Sequence, residues 1–361
     1  MKVFHPPTLL APFGVLRLIQ FRRNGYSPGV ETSPPILEDI RSPVRLESRP
    51  QPATVTRERP ASDWEEPDCP LCGRRRRQVI LRAFDNAAPG DWHRYEVVRC
   101  LDCQLCFTSP RPSPELIRQY YPAGYGPHAL PLRNRRSPWW SRLAARSGLL
   151  FQARKALPWH GQGRLLDFGC GGGSFLQRMH GLGWRVTGVD ISPVAVDRIC
   201  GQLGLHALVG SLPHPELPPQ AFDVVTMWHS LEHVHDPLEV LRGAHGVLTA
   251  RGRLLVAVPN FDSLAFRWFG ENWFGLDLPR HLTHFTPNTL SAMLERAGFR
   301  VRNVRMVRHS HWLRRSAAIA RQERRLPWRQ QWTRGKVGSR MISSYAFLTR
   351  QSECMLVTAE R

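Results

Sequence analysis

Three groups of residues in this 361-residue chain have the types and spacing to do chemistry. The first is a pair of C-x2-C knuckles, Cys69-Pro-Leu-Cys72 and Cys100-Leu-Asp-Cys103, with 27 residues between them. Four thiolates so arranged can close a tetrahedron around Zn2+, and a site filled entirely by protein sulfur is structural. Cys106 extends the second knuckle in the manner of an iron–sulfur run, but Pro110 stands where the next cysteine of such a run belongs. Cys106 therefore reads as a spare thiol or a buried small residue, and Cys170, Cys200 and Cys354 as buried hydrophobes in core elements.

The second group is the glycine run Asp167-Phe168-Gly169-Cys170-Gly171-Gly172-Gly173-Ser174, which follows a β-rich stretch and opens a helix. Glycines there permit a sharp turn and close approach of a ligand to the backbone. A dinucleotide fingerprint counted from Gly169 would need glycine at Ser174; what fits is Asp167-x-Gly169-x-Gly171-x-Gly173. An acid ahead of the glycines suits the cationic amino-acid part of a nucleoside sulfonium such as S-adenosylmethionine, not a pyrophosphate. Asp190 ends the next β-rich run, 21 residues after Gly169, where a carboxylate can accept both ribose hydroxyls. The plainer alternative is a glycine-rich turn with Asp190 as a helix-capping acid.

The third group follows from that cofactor. Methyl transfer from a sulfonium needs an in-line attacker, exclusion of water and, for a hydroxyl or carbon acid, a base worth about 10²–10⁴-fold in rate. The run Trp228-His229-Ser230-Leu231-Glu232-His233 ends a strand at the carboxyl edge of the sheet, where open α/β folds bind ligands. Two histidines, His229 and His233, therefore lie beside the cofactor, with Glu232 between them. The alternative is that the histidines only hydrogen-bond the cofactor or the loop backbone. His281 and His284, downstream of Trp268, Phe269, Trp273 and Phe274, read as a lid or acceptor wall. Tyr121 and Tyr125, with Tyr120, close the same pocket from the connector side or else pack between domains.

These residues need a scaffold. From Arg164, β-rich runs (164–170, 185–190, 206–210, 222–229, 252–260) alternate with helical windows, the signature of a parallel α/β sheet. Ser192-Pro193 and Gly204, Asp236-Pro237, and Thr286-Pro287 with Gly298 mark helix ends. After a strand at 301–307 the order breaks for a basic, Trp-containing insertion at about 310–345, and a last strand follows at 353–359. Upstream, residues 63–112 form a zinc-binding knuckle unit and 113–160 a helical connector. Residues 1–62, rich in Pro and Arg without a period, are expected to be disordered; a start codon placed too far upstream would look the same.

The residues from Leu165 to Asp190, with Phe222-Asp-Val-Val225, Leu231-Glu-His-Val234 and Arg280-His-Leu-Thr-His-Phe-Thr-Pro287, resemble class I S-adenosylmethionine-dependent methyltransferases, in particular a bacterial subgroup carrying an N-terminal cysteine knuckle. The resemblance implies a Rossmann-like seven-stranded sheet with its last strand antiparallel, and sugars, quinone precursors or other small molecules as acceptors. It is strongest at the Glu232-His233 pair, which implies His233 as the base, with Glu232 orienting it or shaping the acceptor pocket and His229 as second choice. Where the family commonly has an acid near the adenine, this chain has Ser211, which takes that cofactor position here.

The net charge of +21 is unevenly spread. Residues 1–163 hold 25 Lys+Arg against 14 Asp+Glu, residues 164–300 hold 11 against 12, and residues 301–361 hold 14 against 3. The catalytic core is thus near neutral, which argues against nucleic acid as partner. An RNA or protein methyltransferase using the basic flanks is the alternative enzyme, yet the chain lacks the Asn/Asp-Pro-Pro-aromatic and Pro-Cys signatures of base-methylating sites. A non-catalytic zinc-ribbon interaction protein is the alternative class, opposed by the intact glycine loop and Asp190. No apolar run is long enough to cross a membrane and no secretory leader is evident, so a cytoplasmic location is expected. The helix expected around Trp312–Trp328, with Leu313, Ala317 and Ala320 on one side and arginines on the rest, predicts weak, salt-sensitive contact with an anionic membrane surface, or a lid.

Overall fold

In a computed structural model of the chain, the structure describes residues 63–88, 93–121, 163–323 and 327–361. Residues 1–62, most of the expected connector, and Tyr125 with it, lie outside the described residues.

The centre is a seven-stranded sheet. Strand β6 (Arg164–Phe168), helix α1 (Ser174–His180), strand β7 (Arg185–Asp190), helix α2 (Pro193–Leu203) and strand β8 (His206–Val209) form one half. Strand β9 (Phe222–Trp228), helix α3 (Pro237–Val247), strand β10 (Leu248–Pro259), helix α4 (Leu264–Phe269) and helix α5 (Pro287–Arg296) follow, and strands β12 (Arg300–Val307) and β13 (Cys354–Glu360) complete it. The strand order is β12-β13-β10-β9-β6-β7-β8. Strands β10, β9, β6, β7 and β8 run parallel, and β13 lies antiparallel between β10 and β12. The order reverses between β6 and β9, so their carboxyl ends flank the crevice where such sheets bind ligands.

Local chemistry sets the helix ends. The Ser192 hydroxyl accepts from Ala195 N, the Asp236 carboxylate from Glu239 N, and Thr286 and Thr289 cap each other reciprocally, each cap followed by proline. Gly204 ends α2 at φ +62°, a left-handed conformation that a Cβ disfavours.

The cysteine segment is continuous with this body. Strands β2 (Arg77–Phe84), β3 (Arg94–Cys100) and β4 (Cys106–Thr108) form an antiparallel sheet whose fourth member is β11 (Thr283–His284), from the loop before α5. Strands β1 (Trp64–Glu65) and β5 (Arg111–Pro112) pair separately. Cys69, Leu71, Cys100, Leu105 and Phe107 belong to the same buried cluster as Phe285 and the strands of the main sheet. A knuckle unit expected as a small separate body thus shares both a sheet and a core with the catalytic fold.

The insertion between β12 and β13 is helical: α6 (Ser310–Glu323), α7 (Trp328–Gln331) and α8 (Lys336–Leu348). Trp312, Leu313, Ala317 and Ala320 of α6 are buried against Phe261, Phe269, Trp273 and Leu276. The apolar side that a membrane-lying α6 would need is consumed by packing on the domain. Cys170 and Cys354 are buried as expected, but Cys200 is exposed on α2, because the sequence period marks a helix without saying which side its borderline positions face.

Candidate active site

The glycine loop is built by close packing as much as by openness. Gly169 sits at φ +70°, and a Cβ there would lie 2.4 Å from the Ser230 Cβ. A Cβ on Gly173 (φ +72°) would meet Ile199 and Leu203 of α2 at 2.8 and 2.9 Å. These two glycines let the loop pack against β9 and α2. Gly171, at φ +52°, presents its N–H to the Asp190 carboxylate at 2.8 Å, and the other Asp190 oxygen accepts from Ser192 N at 2.9 Å. A carboxylate has about four lone-pair sites, so Asp190 pins the loop and keeps acceptor capacity for a ligand diol. Asp167 is buried and accepts from the Thr226 hydroxyl at 2.6 Å. Ser211 is exposed just beyond β8. A left-handed glycine loop with a carboxylate at its rim, on the crevice side of the sheet, fits the amino-acid and ribose parts of S-adenosylmethionine.

Beside this loop, the residues after β9 form a short 3-10 turn, Leu231–His233. His233 Nδ1 lies 3.0 Å from the Arg280 carbonyl and 3.0 Å from the Tyr121 hydroxyl. A carbonyl only accepts, so Nδ1 carries the proton and Nε2 presents its lone pair. Burial lowers the His233 pKa, which keeps the ring neutral near pH 7. His281 packs edge-on against His233 with ring centroids 4.6 Å apart, its own Nδ1 on the Gly275 carbonyl at 3.0 Å.

Glu232 is only 1% exposed, and its hydrogen bond goes to His229 Nδ1 at 3.2 Å rather than to His233, whose orientation comes from Arg280 and Tyr121. Burial pushes the Glu232 carboxyl up to about 7. His284 is placed away from a substrate role. The Thr108 hydroxyl donates its one proton to the His281 carbonyl (2.7 Å) and accepts from His284 Nε2 (3.2 Å), tying β4 to the loop. Burial lowers the His284 pKa to about 3, so it stays neutral.

Sequence reasoning missed the support of this site. Arg280, 1% exposed, makes paired bonds to Asp85 (2.8 and 2.5 Å) and to Asp277 (3.0 and 2.8 Å), and donates to the Tyr120 carbonyl at 3.0 Å. Burial alone would raise the Asp277 carboxyl, but His281 and Arg280 beside it hold it below the usual range. Arg280 thus joins the cysteine segment to His233 through its own carbonyl. A guanidinium amid Leu278, Pro279 and Leu282 was the one available signal. His309, at the start of the insertion, was also missed, and beside it stands Trp312, which opens the helix expected as a membrane contact or a lid. They stack at 5.1 Å, and the Trp312 ring lies 5.5 Å from that of His229. The expected wall residues divide: Trp273 is core, whereas Phe274 packs on Trp312 at 5.6 Å.

A family model described as a methyltransferase domain matches residues 132–304. The ubiquinone biosynthesis O-methyltransferase of Xanthomonas campestris pv. campestris (strain B100) is 32% identical over 189 residues, covering 47% of this chain and 75% of that protein. The chain belongs to the S-adenosylmethionine-dependent methyltransferases. The methyltransferase is also 31% identical over 153 residues to the ubiquinone biosynthesis O-methyltransferase of Pseudomonas aeruginosa (strain UCBPP-PA14), covering 39% of this chain and 66% of that protein. A solved S-adenosylmethionine-dependent methyltransferase from Mesorhizobium loti aligns at a TM-score of 0.41 and 21% identity over 61% of this chain and 96% of the other.

Proposed function

We propose that this methyltransferase methylates a hydroxyl oxygen on a small, quinone-precursor-like acceptor, with His233 as general base. Gly169, Gly171, Gly173, Asp167, Asp190 and Ser211 would hold S-adenosylmethionine, which when bound would supply a sulfonium methyl group with a neutral thioether as its leaving group. His233 Nε2 would take the proton of the acceptor hydroxyl, freeing the oxygen to accept the methyl group. The Arg280 carbonyl holds the imidazole in the required tautomer, Tyr121 helps to orient the ring, and His281 and Trp312 help to exclude water. The observation that carries this reading is the pair of 3.0 Å contacts at His233 Nδ1, which leaves the other ring nitrogen basic. The relatives named as O-methyltransferases favour oxygen over carbon as the attacking atom. Incubation with methyl-labelled S-adenosylmethionine and a set of dihydroxyaromatic acceptors, followed by mass analysis, is expected to give O-methyl ethers; label on carbon would overturn the oxygen assignment.

Cys69, Cys72, Cys100 and Cys103 are proposed to hold a structural Zn2+. Their sulfurs lie within 4.8 Å of one another, with Cys69–Cys103 at 3.4 Å and Cys72–Cys100 at 3.5 Å, close to the edge of a tetrahedron with Zn–S bonds of about 2.3 Å. Each knuckle closes the same way, Gly73 N bonding to Cys69 O and Gln104 N to Cys100 O, with Gly73 and Gln104 both at positive φ. Because Cys69 and Cys100 lie in the main core, the metal's binding energy is folding energy for the whole segment. Cys72→Ser is expected to remove one zinc per chain and to open residues 63–112 to proteolysis. Metal-free protein with undiminished protease resistance would refute the assignment.

We propose that contact with an anionic membrane falls to α8 and not to α6. Helix α8 buries Ser339, Ser343 and Ala346 while Val337, Met341, Tyr345 and Leu348, on one face, are 71%, 58%, 58% and 79% exposed. Ile342 packs partly on the core, yet the outer face is more apolar than a water-facing helix usually presents. Trp328 and Trp332 are exposed nearby, and Arg321, Arg334, Lys336, Arg340 and Arg350 supply exposed positive charge. No described helix is long and apolar enough to span a membrane. Sedimentation with anionic but not neutral liposomes is expected at low salt, weakened at 0.5 M salt and by Met341→Glu. Protein that stays in the supernatant while forming dimers sensitive to the same substitution would assign the face to a second copy instead.

A further inference from the structure

We propose that His229, His309 and Cys354 form a second metal site, distinct from the four-cysteine cluster, for Zn2+ or a similar borderline cation. The three residues come from different parts of the sheet's carboxyl edge: His229 follows β9, His309 lies between β12 and α6, and Cys354 opens β13. Their donor atoms all lie within 4.8 Å of one another. His229 Nε2 and Cys354 Sγ are 3.7 Å apart. Zinc bonds of about 2.0–2.1 Å to nitrogen and about 2.3 Å to sulfur, set at the tetrahedral angle, place those two atoms about 3.6 Å apart.

Two further features fit a ligand role for His229. With Glu232 ionised, its carboxylate accepts from Nδ1 at 3.2 Å, and Nε2 then turns a lone pair toward Cys354. A carboxylate on the far nitrogen is the usual support for a metal-bound imidazole. The His229 backbone is also held at φ +54°, an unfavourable conformation for a residue with a Cβ, by its N–H bond to Ala257 O at 2.8 Å. Trp312 fixes both rings, lying 5.5 Å from His229 and stacked on His309.

Two imidazoles and a thiolate select zinc and its neighbours over magnesium or calcium. Three protein ligands leave a fourth position for an exogenous oxygen, as in catalytic rather than structural zinc sites. That the oxygen belongs to the methyl acceptor rests on the proposed function; metal binding itself does not.

The test uses full-length protein stripped with chelator and titrated with Zn2+ and Co2+, with bound metal counted per chain by mass spectrometry. Wild type is expected to hold one more equivalent than His309→Ala or Cys354→Ala, while Cys72→Ser retains this site. In Cys72→Ser, Co2+ is expected to give thiolate charge-transfer absorption that His309→Ala or Cys354→Ala added to that background weakens. Glu232→Gln is expected to lower affinity about 10–100-fold. Circular dichroism checks folding, and the half-exposed position of His309 guards against Cys354→Ala simply failing to fold. Equal metal content in wild type and His309→Ala, with binding lost only in Cys72→Ser, would overturn the proposal and reduce the cluster to a thiol–imidazole hydrogen bond. S-adenosylmethionine binding measured on the same samples reports separately on the methyltransferase site.

Discussion

Replacing His233 with asparagine is expected to lower the rate of methyl transfer by about 10²–10⁴-fold, the usual contribution of a positioned base, with little change in affinity for S-adenosylmethionine. Asparagine keeps an N–H that can donate to the Arg280 carbonyl, so the turn survives while the basic nitrogen is lost. In wild type, kcat/KM is expected to be level near neutral pH and to fall only below about 6.5, the ordinary imidazole value, because burial lowers the His233 pKa. The sign is fixed: protonation removes the base, so a lowered pKa moves the acid limb downward. Single-turnover rates of both proteins across pH 5 to 8 decide the point, and an unchanged rate in the variant would make His233 a bystander. A rate loss matched by loss of cofactor affinity would make it structural.

The second large effect concerns stability. Arg280→Ala leaves Asp85 and Asp277 without their buried partner, and breaking a buried ion pair from one side costs about 3–5 kcal/mol. Urea unfolding should show that loss as a lower midpoint. The double variant Asp85→Asn/Arg280→Met is expected to lose less than the sum of its single changes, since the residues share one network. Arg280 also presents its carbonyl to His233, so variants that remain folded should lose rate as well as stability. A penalty within about 0.5 kcal/mol, the range of ordinary surface substitutions, would contradict this account of the network.

What the sequence made readable was local. The succession of strands and helices, the helix caps at Ser192, Asp236 and Thr286, the loop from Gly169 to Gly173 and the facing Asp190 all depend on residues close together along the chain. The supports of the base do not. Asp85 and Arg280 are 195 positions apart, and neither carries a spacing that points to the other. Glu232 was readable as a partner for a histidine, but the turn directs it to His229 because His233 is already held by Arg280 and Tyr121. Amphipathic period identified α6 and its apolar side, yet only packing reveals that this side is covered, and that the apolar face of α8 is the one left out. The pairing of β11 with β4, which joins the cysteine segment to the active-site loop, involves a two-residue strand too short to leave a periodic signal.

The most direct test of the central claim is calorimetric titration of S-adenosylmethionine into the wild-type protein and into Asp190→Ala. Asp190 is the better probe than Gly171, whose positive φ would strain any branched substitute whether or not a ligand binds there. The account predicts one cofactor per wild-type chain, and at least about tenfold weaker binding in Asp190→Ala, since loss of a charge-assisted bond to a buried carboxylate is worth about 1.5–3 kcal/mol. Absence of binding to folded wild-type protein, or equal affinity in the two, would contradict the placement of the cofactor on this loop.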